Sequence, residues 1–472
     1  MIFHSVDFVL FLFTVLTLFW LLPQKTKNLF LLCSSYFFYG YVHPWFIILI
    51  AASTLANYFY GICIEKHNSK KIIFLYLSII TNLTILGFFK YYNFFIDNIT
   101  PLFKILSLPT TDLTLQIFLP IGISFYTFQS LGYTIDVYRK KIAPCKNIIN
   151  FSLYVSFFPQ LVAGPIERAS RILPQIERNK IFQLKQASDA LLLIIWGYFK
   201  KLVIADNVGV IVDKIFSSNI SSFYLLWVGV IGFTVQIFAD YSAYTDIARG
   251  VAKLFGIELV KNFKAPYLAK SPSDFWKRWH ISLSSWIKDY LYIPLGGSRV
   301  NNGRFVLNVF ITMGLCGLWH GASWNFVLWG LYHALLIVLY RFIGALLPQK
   351  LTDLKSLLPA KIIVMFTFTC TGWLIFREAN PAYLLSYITL SPFNVSRIDI
   401  QVASYLGILI TMYTTPLIIH LIGSYVFQKE MLTGKITRKT EWRVRTACAT
   451  SLFIGILCLH CSVASNFIYF QF

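Results

Sequence analysis

From Phe305 to Leu347 the chain is apolar apart from His320, Asn325, His333, Arg341 and a few small polar residues. As a single helix this run would extend roughly 64 Å at ~1.5 Å per residue. The hydrocarbon core of a bilayer is only ~30 Å thick. The run must therefore break, and Gly317, Gly321 and Ser323 mark the place. His320 then lies ~24 Å along the helix from Arg304, at membrane depth, where an ionisable side chain is a functional candidate.

The segment upstream, SPSDFWKRWHISLSSWIKDYL (271–291), carries a second histidine. Ser271, Pro272 and Asp274 suit the N-cap, first and third positions of a helix. At about 100° per residue, Phe275, Trp276, Trp279, His280, Leu283, Trp286, Ile287, Tyr290 and Leu291 share one half-circle. Lys277, Arg278, Ser282, Ser284, Ser285, Lys288 and Asp289 share the other, with Ile281 the exception. The pattern predicts an amphipathic helix over 272–291 lying in the membrane interface, His280 inside its apolar face. For His280, packing or interfacial anchoring and a chemical role both stay open. For His320, at a forced helix break, the chemical role is preferred. His333 falls in an ordinary apolar helix and is read as structural.

The whole composition agrees with a polytopic membrane protein. Of 472 residues, 57% are hydrophobic, 18% aromatic and 13% charged, about half the charged share of a soluble domain. Mean hydropathy is +0.64. The +21 net charge would suggest nucleic acid in a soluble protein, but here the basic residues gather in short loops between apolar runs. No basic and aromatic RNA-binding motif appears, so nucleic acid is discounted. No cleavable signal peptide is read at residues 8–22. Most of the eight cysteines sit inside apolar runs and none forms a paired CxxC metal knuckle, so neither a required disulfide nor a structural zinc is expected.

Apolar runs fall at 5–22, 28–41, 44–64, 71–89, 113–135, 149–163, 188–206, 222–239, 305–318, 322–347, 358–376, 402–427 and 446–470. Several are too short to cross alone. Residues 28–64, broken at His43–Pro44, predict a hairpin, and 149–163 predicts a re-entrant segment, tolerated only inside protein or beside a water-filled cavity. The expectation is an all-α fold of about eleven spans, with a nearly neutral loop at 90–112. Lysines 66, 70 and 71, then Arg139, Lys140, Lys141 and Lys146, orient the basic loops to the cytoplasm and the N-terminus outside.

Two further stretches carry polar groups into apolar surroundings. FFPQLVAGPIERASRILPQI (157–176) ends on Glu167, Arg168 and Arg171, a basic turn suited either to a phosphorylated donor or to snorkelling at the interface. In IFADYSAYTDIARG (237–250), Asp240, Tyr241, Ser242, Tyr244 and Asp246 could line a polar tunnel. Alternatively they are structural, Asp246 pairing with Arg249, and the structural role is preferred.

FFPQLVAGPIERASRILPQI, YSAYTDIARG, DFWKRWHISLSSWIKDYLYIPLGGSR and LWHGASWNFVLWGLYHA, in that order, resemble the membrane-bound O-acyltransferases. The similarity is strongest to the bacterial branch acting in alginate O-acetylation, peptidoglycan O-acetylation and D-alanyl transfer to teichoic acids. It covers roughly residues 1–390. It implies a single domain over 1–472 with a motif core at about 150–345, and a ring of helices around a tunnel, with re-entrant and interfacial helices. It further implies His320 as the family's catalytic histidine and His280 as the second polar residue; Trp276, Trp319, Asn325, Asp240, Tyr241, Ser242 and Asp246 are the candidates for tunnel or substrate lining. No bound cofactor or metal is implied. The donor would be acetyl-CoA or an acyl-carrier-protein thioester. The partners would be the lipid bilayer, a periplasmic serine-dependent O-acetyltransferase and a polysaccharide acceptor, in the inner membrane.

Rival classes fare worse. A transporter or flippase without chemistry predicts paired broken helices in repeated halves, and no internal repeat is visible. A membrane scaffold leaves His320 and the 157–176 turn unexplained. Cysteines placed at Lys70 and Lys141 should be shielded from an impermeant thiol reagent in intact cells. Labelling of either from outside overturns the orientation.

Overall fold

The structure, a computed structural model, describes residues 1–106, 114–162, 164–218, 220, 222–346, 348, 354–432, 438–463 and 467–468. In chain order the helices are α1 (Val6–Leu21), α2 (Gln24–Gly40), α3 (Phe46–Lys66), α4 (Lys71–Ile105), α5 (Ile123–Tyr138), α6 (Ile148–Ser156) and α7 (Ala169–Glu177). There follow α8 (Leu184–Phe199), a π-helical turn (Lys200–Ala205), α9 (Asp206–Phe216) and α10 (Phe223–Leu254). After these come α11 (Pro272–Trp276), α12 (Ile281–Ile287), α13 (Asn302–His320) and α14 (Trp324–Leu346). The last four are α15 (Leu358–Arg377), α16 (Pro381–Ile388), α17 (Arg397–Leu432) and α18 (Arg438–Leu459). No strand occurs among the described residues. The protein is an all-α polytopic membrane protein.

Seven helices among the described residues are long and apolar enough to cross a bilayer: α3, α4, α10, α14, α15, the Arg397–Gly423 part of α17 and the Trp442–Leu459 part of α18. The apolar windows of α4, α17 and α18 are 17%, 6% and 0% buried. Apolar helix faces left so open suit lipid and would be an aggregation liability in water. One expectation fails here. Residues 90–105 are not loop, because α4 passes through a π-helical turn at Gly87–Tyr91 and continues to Ile105. Phe94, Phe95, Ile96 and Ile99 extend the apolar pattern past Lys90, beyond the end of the 71–89 run. Residues 107–112 of that loop lie outside the described residues.

The chain divides into two compact units. The first comprises Met1–Ala190, Ala248–Lys261 and Ser285–Pro294. In it α3, α4 and α5 share a buried polar knot. Asn57 Oδ1 accepts from Ser78 Oγ at 2.8 Å and from Asn82 Nδ2 at 2.8 Å, and Ser78 Oγ meets Thr134 Oγ1 at 2.9 Å. Without a hydrophobic drive between helices in lipid, such bonds and close packing hold spans together. The break in the 149–163 run falls at Phe157, between α6 and a single turn at Phe158–Leu161.

The second unit comprises Leu191–Ile247, Asn262–Ser284 and Leu295–Phe472. The long apolar run breaks at residues 321–323, as its length requires, and folds back as the α13–α14 hairpin. Gly321 is extended there, at φ −162° and ψ 155°. Gly317 does not break the helix. It lets the backbones touch: a Cβ at Gly317 would lie 2.1 Å from the Phe326 carbonyl oxygen, and one at Gly330 would lie 2.2 Å from that of Met313. Elsewhere Trp196, Phe199, Val203, Ile204 and Ala239 form a buried cluster, which Tyr413 and Leu417 of α17 and Leu452 and Ile456 of α18 cover.

Gly330→Ala should lower the thermal midpoint of the detergent-solubilised protein, since a methyl forced on backbone costs ~1–3 kcal/mol. Gly344→Ala, with nothing within 4 Å of the new methyl, should not. Equal melting of the two variants would refute the close approach.

Candidate active site

The site lies in the second unit and is built by an interruption. Ser271 caps α11, its Oγ accepting from Asp274 N at 3.1 Å, as expected. The helix then ends at Trp276 instead of running to Leu291. The reason lies upstream in the chain. The Asn262 carbonyl accepts from Ile281 N at 3.0 Å, Asn262 Oδ1 accepts from Ser282 N at 3.1 Å, and Lys264 N donates to the Arg278 carbonyl at 3.0 Å. These bonds take the backbone groups that a continuous helix would use. His280 absorbs the turn at φ +43°, in the left-handed region that bulky side chains rarely occupy and histidine tolerates better than most. Such a residue persists only where its surroundings hold it, and these residues cluster at functional sites. Its carbonyl then starts α12 by accepting from Ser284 N at 2.9 Å.

His280 is fully buried. Its Nε2 and the Tyr241 hydroxyl of α10 are 2.7 Å apart, the imidazole standing edge-on to the phenol. Phe263 meets the same phenol edge-on at 5.1 Å. Burial pushes the His280 imidazole well below its usual range, so the ring is neutral at physiological pH.

His320 is the last residue of α13 and is 4% exposed. Its ring lies 6.5 Å from that of His280, centroid to centroid. Trp319, Trp329 and Phe376 stand edge-on around it at 5.1, 5.0 and 5.6 Å. Trp319 also touches His280, at 5.8 Å. Two imidazoles forty residues apart in sequence thus share one aromatic chamber.

The other candidates divide. Asn325 ties α14 to α15 by donating to the Phe376 carbonyl at 2.9 Å, behind the ring that faces His320. Trp276 sits one layer out, edge-on to Trp329 at 5.6 Å and to His333 at 5.2 Å. His333 stacks on Phe275 at 5.7 Å inside that aromatic layer, as a packing residue does.

Asp240, Ser242 and Asp246 are engaged by two buried lysines that sequence reasoning missed. Lys201 Nζ lies 3.0 Å from Asp240 and 2.9 Å from Asp206. Lys200 Nζ lies 2.7 Å from Asp246 and 2.9 Å from Ser242 Oγ. Asp246 therefore has Lys200 as a buried partner. A buried carboxylate needs a buried cation. Two adjacent lysines inside the apolar 188–206 run were the available signal.

In the first unit, the basic turn at 167–171 is largely spent internally. Arg168 pairs with Asp289 at 3.1 Å and lies 4.3 Å over the Tyr290 ring. The Glu167 carboxylate accepts from Val260 N and lies 4.0 Å from Arg171, which is the half-exposed member. Burial raises the Glu167 carboxyl to about 7, against the Val260 hydrogen bond and the arginines, which lower it. A carboxyl raised above its unfolded value lends stability that is present below the unfolded value and lost as pH rises through about 7. Wild type should therefore lose on the order of 3 kcal/mol relative to Glu167→Gln between pH ~4.5 and ~7.5. Thermal melts in detergent across that range check it, and parallel curves would contradict it.

A family profile described as MBOAT, the membrane-bound O-acyltransferase family, matches residues 142–385. The probable alginate O-acetylase AlgI of Pseudomonas putida is 38% identical over 385 residues, covering 80% of this chain and 78% of that protein. The peptidoglycan O-acetyltransferase of Helicobacter pylori is 31% identical, covering 96% of this chain and 94% of that protein. The teichoic acid D-alanyltransferase of Bacillus subtilis is 29% identical over 280 residues, 54% of this chain and 68% of that protein. With a profile over half its length and such relatives across most of the rest, the chain belongs to the membrane-bound O-acyltransferase family and is an O-acyltransferase.

Proposed function

We propose that this protein takes an acetyl group from a cytoplasmic thioester, acetyl-CoA, and passes it across the inner membrane for O-acetylation of an exported polysaccharide such as alginate. A periplasmic serine-dependent acetyltransferase completes the transfer, and the N-terminus lies outside. The whole chain acts as one acyltransferase domain. The observation that carries this reading is the pair of buried imidazoles 6.5 Å apart in an aromatic chamber, in a chain 38% identical to an alginate O-acetylase.

The proposed chemistry needs few parts. The acceptor hydroxyl oxygen attacks the thioester carbonyl carbon while His320 removes the hydroxyl proton. The carbon–sulfur bond then breaks, and the thiolate leaves and takes up that proton from His320. The imidazolium formed in between sits at the carboxyl end of α13, where the partial negative charge of the helix favours a cation. His280, steadied by Tyr241, orients the acceptor or polarises the thioester carbonyl. The crowded rings keep water from the thioester.

A second acceptor has its own support. The alginate O-acetylase relative aligns with 80% of the chain, whereas the peptidoglycan O-acetyltransferase aligns with 96% of it. Peptidoglycan is therefore the alternative acceptor. The D-alanyl transfer relative covers 54% and ranks below both.

His320→Gln keeps size and hydrogen bonding but takes up no proton. It should leave the protein at normal abundance and abolish ester-linked acetate. His280→Ala should weaken the reaction. Base-released acetate is measured separately on exported polysaccharide and on isolated peptidoglycan, with immunoblots for abundance. Wild-type acetate in His320→Gln would make that histidine structural. Loss confined to peptidoglycan would move the acceptor to the alternative.

A further inference from the structure

Two buried residues far along the chain reach the back of the site. Phe467 and Ile468 are 1% and 3% exposed. The Ile468 backbone N–H donates to Asp240 Oδ2 at 2.7 Å. Asp240 belongs to the buried group in which Lys201 is shared with Asp206. A buried carboxylate is held by hydrogen-bond donors as well as by its cation, and the Ile468 N–H supplies one to Asp240. Phe467 lies 5.9 Å from the Tyr241 ring and 4.7 Å from the Tyr244 ring. Tyr241 therefore has Phe467 and Phe263 as ring neighbours, and its hydroxyl lies 2.7 Å from His280 Nε2.

Neighbouring residues of one helix connect these contacts. Asp240 receives the 467–468 segment, and Tyr241, next in sequence, meets His280. We propose that Phe467–Ile468 is a positioning latch: it fixes the Tyr241 phenol and, through it, the His280 imidazole. The proposal rests on the reading of His280 as part of the transfer site. The latch residues touch no reacting atom. They act on catalysis by holding geometry, and a misplacement of about 1 Å at such a site costs up to ~100-fold in rate.

The test uses the full chain in its native membrane, reading ester-linked acetate per unit of immunoblotted protein. Phe467→Ala should lower acetate at least about tenfold at unchanged abundance. Phe467→Tyr should restore it. The double variant Phe467→Ala with Tyr241→Phe should fall no further than Tyr241→Phe alone, which a merely structural role would not produce. Ile468→Pro, which removes the N–H, should be impaired, while Ile468→Ala, which keeps it, should not. Wild-type acetate in both Phe467→Ala and Ile468→Pro overturns the latch, and so do independent, multiplying losses in the double variant. If neither variant accumulates, the segment is a folding element and the proposal is also overturned. His280→Ala is the separate control. Full acetate in that variant removes the reading of His280, whereas its loss beside intact Phe467→Ala and Ile468→Pro removes the latch alone.

Discussion

The hydrogen bonds between Asn262–Lys264 and Arg278–Ser282 decide where the chemistry can be. They stop α11 after one turn, begin α12 at Ile281, and leave His280 between them in a conformation a helix would not give it. A histidine at that position of a regular helix would have pointed with its row of tryptophans. Set free of the helical register, it meets Tyr241 on one side and Trp319 and His320 on another. The interruption is stabilised because Asn262 takes up the Ile281 and Ser282 N–H groups and Lys264 the Arg278 carbonyl, as low-polarity surroundings require.

The other half of the site depends on contact between backbones. The α13–α14 hairpin brings Gly317 and Gly330 against facing carbonyls, so the rings beyond the turn, Trp329 and Phe376, close directly on His320. A larger residue at either glycine would spread the hairpin and widen the chamber. The same close packing in the aromatic layer accounts for His333, which shares the residue type of the two site histidines but only fills space.

Much of this was legible in the residues. The length of the 305–347 run demanded a break near His320, and Ser271–Pro272–Asp274 announced a helix start that forms as written. These are local signals, carried by spacing and by single caps. What stayed hidden depends on distant partners. The helical wheel over 272–291 could not register that Asn262 competes for its backbone. The carboxylates Asp240 and Asp246 looked like tunnel lining or local pairs because their lysines lie some forty residues away on another helix. The aromatic pattern after Lys90 was masked by the lysine itself, which ends an apolar count without ending a helix.

The long helix α4 has a consequence for the membrane around it. Its lysines at 71 and 90 are separated by roughly 29 Å at ~1.5 Å per residue, the hydrocarbon thickness of an ordinary bilayer. The π-helical turn that ends at Tyr91 begins at Gly87, just ahead of the second lysine. The 71–90 stretch of this helix therefore behaves as a ruler with a lysine at each end. In a bilayer thinner by a few ångströms it must tilt, and in a thicker one its lysines must snorkel or the lipid must compress. Hydrophobic mismatch at a single helix thus gives this protein a preferred membrane thickness, set by the positions of two residues remote from the two histidines in sequence.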